Sequence, residues 1–170
     1  MADDSTAGQV YETLVGTALG AEESRRKVIE GRSGTVLTTS TTMLALVFGL
    51  TVIVTGKDYV FKSHCSVVLV SLALAAFVAS ASLAIVVQAY GFTYTVISAK
   101  TLSNLTDDVN WGRTADDARR MWIRRQVSTI QSLRKGNNIK ARLAIWSLGF
   151  ELLAVALLAV AVGVELYTRL

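Results

Sequence analysis

Three groups of side chains in this sequence could do chemistry, and each points to a different kind. Glu151 is the sole ionisable residue between Arg142 and Glu165. A carboxylate inside so apolar a run either joins helices through a hydroxyl contact, within or between subunits, or conducts protons or ions. The second group is a run of hydroxyls, Thr35, Thr38, Thr39, Ser40, Thr41 and Thr42, directly ahead of the apolar stretch 43–54. Such hydroxyls can bond back to the carbonyl four residues earlier, which makes them tolerable in lipid; they can also bond a neighbouring helix or line a hydrated funnel. The third is a set of guanidiniums, Arg119, Arg120, Arg124 and Arg134, around the apolar residues Trp122 and Ile130. Arginine clusters of this sort pair with phosphate groups.

Other chemistry is poorly provided for. His64 and Cys65 are adjacent, but each is the only residue of its type, which leaves no disulfide within the chain and no histidine cluster for a metal. There is no glycine-rich phosphate loop and no nucleophile with a base and an acid at a recognisable spacing. An enzyme is therefore not expected, nor a cofactor or a metal.

The elements that must position these residues follow from where the apolar residues fall. Of 170 residues, 52% are hydrophobic and 18% charged, too apolar for an ordinary soluble domain. The apolar residues gather in blocks near 35–55, 65–90 and 143–167, each close to the roughly 20 residues a helix needs to cross a bilayer. The reading is an all-α integral membrane protein with three transmembrane helices. Residues 1–34 form a cytoplasmic amphipathic helix from about Gln9 to Glu30, and 35–95 hold a transmembrane hairpin. Residues 96–142 make a cytoplasmic basic segment, and 143–170 the third crossing with a short outer tail. The acidic, polar start does not resemble a signal peptide.

Within the hairpin, the second crossing carries two rows of small residues, Ser71, Ala75, Ala79 and Ala76, Ser80, Ala84. Small rows let helix backbones approach closely where lipid offers no hydrophobic drive. Tyr90, Phe92 and Tyr94 stand where an aromatic belt is expected. With no proline in the chain, the second helix can run on through Lys100 to about Leu105. Residues 110–112 read as a turn.

Thr114, followed by Asp116 and Asp117, caps a helix that ends at Gly136, with Asn137 or Asn138 capping the next. Its face of Trp122, Ile123, Gln126, Val127, Ile130 and Leu133 has three uses: packing on the N-terminal helix, docking on anionic lipid, or holding a phosphate ligand at its arginine border. From Lys100 to Arg142 there are ten bases against four acids, a balance of +6 beside +4 for the whole chain. Cytoplasmic loops between crossings carry such an excess, so nucleic acid is not expected as a partner. The same rule, applied to the basic N-terminal and middle segments, puts the N-terminus inside and the C-terminus outside.

One arrangement of motifs has a known likeness. The helix with Glu22-Glu23-Ser24-Arg25 leads into Gly34-Thr-Val-Leu-Thr-Thr-Ser-Thr-Thr-Met-Leu-Ala-Leu46, and Leu133-Arg-Lys-Gly-Asn-Asn-Ile-Lys-Ala-Arg-Leu143 leads into the last crossing. The pattern resembles the small bacterial membrane effectors of the Pycsar transmembrane type and the related SLATT membrane domains, over most of the chain. The resemblance implies an anti-phage effector that assembles in the inner membrane and makes it leak when a partner cyclase signals. It identifies no ligand-binding residue. On this reading the partners are membrane lipids, other copies in a homo-oligomer, and a cyclic-nucleotide signal or a protein. The rival readings are an accessory subunit of a larger membrane complex and a scaffold that recruits a cytosolic protein through the Trp122 to Leu133 face.

Overall fold

The computed structural model describes residues 7–54, 63–89, 99–104, 107, 112 and 114–168. Every regular element among them is helical: α1 Ala7–Val54, α2 His64–Ala89, α3 Ala99–Asn104 and α4 Ala115–Tyr167. Of the loop expected from Gly56 to His64 between the first two crossings, residues 56–62 lie outside the described residues and His64 already belongs to α2; the aromatic belt at Tyr90, Phe92 and Tyr94 and the 110–111 part of the turn also lie outside them. Two helices, α2 and α4, are long and apolar enough to cross a membrane. The Thr-rich stretch expected to open a first crossing falls within the C-terminal half of α1, which is not one of those two helices.

The chain divides into two compact units, one of Met1–Val28 with Phe92–Ile139, the other of Ile29–Gly91 with Lys140–Leu170. Helices α1 and α4 contribute to both. Two breaks expected from the sequence do not occur. Helix α1 runs straight through Gly31 and Gly34, although a glycine costs a helix interior about 1 kcal/mol relative to alanine. The neighbouring hydroxyls reinforce that stretch: Ser33 donates to the Ile29 carbonyl at 3.0 Å, Thr35 to that of Gly31 at 3.3 Å and Thr38 to that of Gly34 at 3.1 Å. Helix α4 likewise continues past Gly136. The two asparagines that were to start a new helix there spend their side chains across the unit, on Glu22 and Arg25.

The start of α4 does match its sequence signal. The amide of Asp117 donates to Thr114 Oγ1 at 3.3 Å, and the Thr114 hydroxyl returns a 3.0 Å bond to the Asp117 carboxylate. One orphan amide of the first turn is satisfied in this way, and two acids sit at the positive end of the helix dipole.

Burial along the long helices follows intervals of three and four. In α2 the inward residues are Ser66, Val70, Ala73, Phe77, Ser80, Ala84 and Val87; in α4 they are Ile130, Leu133, Asn137, Lys140, Ala144, Ser147, Glu151, Ala154, Leu158, Ala161 and Glu165. In the second unit α1 adds Ser33, Val36, Ser40, Met43 and Val47. A mean spacing of 3.5 residues keeps one seam of a helix against its neighbours over many turns. Phe77, Ala76 and Ala154 form the apolar centre of the second unit, with Met43 and Leu44 packed on it.

Candidate functional site

In the second unit the inner seams mix serines with alanines, valines and Phe77, and the three helices meet at serines. Ser40 of α1, Ser80 of α2 and Ser147 of α4 are all fully buried. Ser80 donates to the Ser147 carbonyl at 2.8 Å and Ser147 donates to the Ser80 carbonyl at 2.8 Å, a reciprocal clasp that ties α2 to α4. Ser40 Oγ lies 3.4 Å from Ser80 Oγ and so brings in the third helix. One turn further along α4, on the same seam, stands Glu151. Its carboxyl oxygen Oε1 is enclosed and has no hydrogen-bond partner.

The five candidate hydroxyls therefore divide. Thr38, Thr39, Thr41 and Thr42 are exposed and bond back to the carbonyls of Gly34, Thr35, Leu37 and Thr38 at 2.8–3.1 Å. Only Ser40 turns inward. Of the two rows of small residues, Ala76, Ser80 and Ala84 are buried, while Ser71 and Ala75 are exposed and Ala79 is half-buried. The outer surface of the unit is apolar, with Leu152 72%, Ile145 68% and Trp146 65% exposed. A surface of that kind suits lipid or other membrane helices, not water.

At the end of this unit a fully buried lysine is matched with an acid. Lys140 is 1% exposed, and its ammonium donates to Glu30 Oε1 at 2.6 Å. Glu165 is buried near the far end of α4.

The first unit has its own polar centre. Glu22, 7% exposed, accepts from Arg134 Nε at 2.9 Å and from Asn137 Nδ2 at 3.1 Å. Asn137 is fully buried and also donates to the Glu22 backbone carbonyl at 2.9 Å, while Arg25 donates to Asn138 Oδ1 at 2.9 Å. Burial on its own pushes the Glu22 carboxyl up, but the hydrogen bonds from Arg134 and Asn137, with the charges of Arg134 and Arg25, outweigh it and hold the group below the usual glutamate range.

The residues of the basic helix are distributed over three settings. Ile130 is buried and Trp122 half-buried, on the inward side. Arg134 is committed to Glu22, and Arg119 to Glu12 at 3.2 Å and Asp116 at 4.0 Å. Arg120 and Arg124, joined by Arg125, Asp117, Met121 and Ser128, line an open groove on the outward side. Sequence reasoning missed the Glu22, Asn137 and Lys140 partnerships. Their signal was present as polar residues at three-and-four spacing inside a run of seam positions.

Among the described residues no three His, Cys, Asp or Glu side chains come together as a metal site. Compared with protein-family models, curated proteins and solved structures, the chain shows no match.

Proposed function

We propose that the chain is a three-crossing protein of a bacterial inner membrane, N-terminus inside, which assembles into homo-oligomers and permeabilises the bilayer under control of its cytoplasmic helices. The observation that carries this reading is the distribution of side chains in the second unit. Serines, Lys140 and Glu151 stand among alanines, valines and Phe77 on the inner seams, and most of the large aliphatic side chains face outward. Helices held together by small hydroxyls in lipid give up little apolar burial when they exchange partners, because lipid is as apolar as leucine. Copies that rearranged in this way would turn hydroxyls and a carboxylate toward a shared axis. The open Arg120, Arg124 and Arg125 groove supports a phosphate-bearing signal, such as a cyclic nucleotide, and a role in anti-phage defence accords with it.

Inducible expression with a membrane-potential dye tests the reading. Depolarisation that deepens with a cyclic nucleotide is expected, and an unchanged potential with and without nucleotides would overturn it. A second reading, an accessory subunit of a larger complex, is favoured by the exposed Ser71 and Ala75 row. Purification in mild detergent separates the two, since stoichiometric foreign subunits belong only to the second.

A further inference from the structure

Helix α1 carries a second seam, on the face opposite the Glu12 and Glu22 side chains that meet α4. In the first unit it reads Val10, Leu14, Thr17, Ala21, Ser24 and Val28, in alternating steps of four and three, and every one of these residues is exposed. Val10 is 52%, Leu14 67% and Val28 53% exposed. The first four residues of the seam line an open, apolar groove. In the second unit the same steps continue through Gly31, Thr35, Thr38, Thr42, Ala45 and Gly49, again all exposed. A Cβ added at Gly31 or Gly49 would meet nothing within 4 Å. The four threonines of the seam donate their hydroxyls back to carbonyls of α1 itself, so they can pack as small side chains without a new hydrogen-bond partner.

Steps of four and three repeat every seven residues, the period at which one helix stays in contact with another, so the occupant of this seam is a helix. Charge decides which helix. All the charged residues of α1 lie between Glu12 and Arg32, and none falls on the seam. Two identical helices packed in parallel and in register set each seam residue beside its own copy, so any charge there would face its like. A seam neutral from end to end meets the condition that self-pairing imposes. The outward face of α4 in the first unit fits it less well, because Arg120, Arg124 and Arg125 would lose water against Val10 and Leu14 without gaining a partner. We propose that α1 packs along this seam, in parallel and in register, on α1 of a second copy. Copies inserted the same way share one direction, so the pairing rests on the membrane-spanning reading above. The flanks bring Lys27 of one copy toward Arg32 of the other; both are exposed, and salt screens that repulsion.

Disulfide trapping on the full chain in cell membranes tests the pairing, with Cys65→Ser as the background because Cys65 is exposed. A disulfide forms only where two Cα atoms come within about 7 Å. Thr17→Cys and Ser24→Cys, on the seam, should yield a band of twice the chain's mass under a membrane-permeant oxidant. Gly16→Cys and Glu23→Cys, exposed but turned about 100° around the helix, should stay monomeric. Equal trapping at all four positions, or none at the seam, overturns the pairing. So does a seam product of any other mass, which would assign the groove to a foreign helix. Leu14→Asp puts a charge beside its own copy and should weaken association at least about tenfold, read by energy transfer on dilution of purified chain in lipid vesicles; undiminished association overturns the pairing as well. Should Leu14→Asp lose helicity by circular dichroism, Thr17→Asp makes the same test one turn along. Alkaline carbonate extraction scores membrane residence separately. Protein that stays in the membrane without seam crosslinks refutes the pairing alone, whereas protein that is extracted refutes the spanning reading.

Discussion

Removing the Asn137 side chain is the sharpest test of how the first unit is held. Asn137→Ala deletes two hydrogen bonds, one of 2.9 Å to the Glu22 carbonyl and one of 3.1 Å to its carboxylate. A hydrogen bond to a charged group contributes about 1.5–3 kcal/mol and a neutral one about 0.5–1.5 kcal/mol. The carbonyl keeps its own helical amide, so the lower end applies to that bond, and the expected loss is about 3 kcal/mol. Glu22→Gln should cost less, about 1–2 kcal/mol, because the Arg134 side chain is 61% exposed and regains water when its partner loses charge. The two effects should not add. Both act on one bond, which predicts a coupling of about 1–2 kcal/mol in the double variant. Hydrogen exchange on the full chain in lipid nanodiscs measures this locally, comparing peptides from 7–28 and 115–139 with those from 140–167. The depressed Glu22 carboxyl adds a pH signature. Its contribution is complete above the ordinary glutamate range and is lost progressively as pH falls from there through the depressed folded value. Glu22→Gln should flatten that acid limb. Loss of less than about 0.5 kcal/mol in Asn137→Ala, or strict additivity of the two substitutions, would refute the network as the element holding α1 to α4 in this unit.

Further expectations follow from single contacts. Glu30→Gln removes the negative charge that meets the buried Lys140 ammonium at 2.6 Å and should cost about 3–5 kcal/mol, while the pair Glu30→Gln with Lys140→Met should recover much of that; folded yield in mild detergent measures both. Ser80→Leu puts a large side chain into the three-helix contact and should abolish folded protein, whereas Ser71→Leu on the exposed row should leave the monomer fold intact by circular dichroism. Thr114→Ala removes the cap of α4 and should cost about 1 kcal/mol, seen as faster exchange confined to 115–118.

Local rules made much of this protein legible. Uninterrupted apolar runs announced helices, and the Thr114 cap with Asp116 and Asp117 placed the start of α4. Glu151 and the hydroxyl run stood out as polar residues in apolar company. Less legible was which hydroxyl mattered, because Thr38, Ser40 and Thr42 look alike in a sequence. Only the packing of α1 against α2 singles out Ser40. The same holds for Asn137 and Asn138. Local logic made them caps, and partners more than a hundred positions away made them tertiary contacts, so α4 went on where a stop was expected.

The inward serines and alanines of the second unit reverse the usual rule of which positions tolerate change. In a water-soluble bundle the large aliphatic residues are constrained and the surface drifts. On the membrane-spanning reading, the outward leucines, isoleucines and valines meet an equally apolar surrounding and are largely interchangeable, while a single added methylene at Ser80 or Ala84 pushes helices apart. A saturation scan should therefore read inside out, with leucine forbidden at the centre and welcome at the rim. Such a chain can keep its shape while most of its letters turn over.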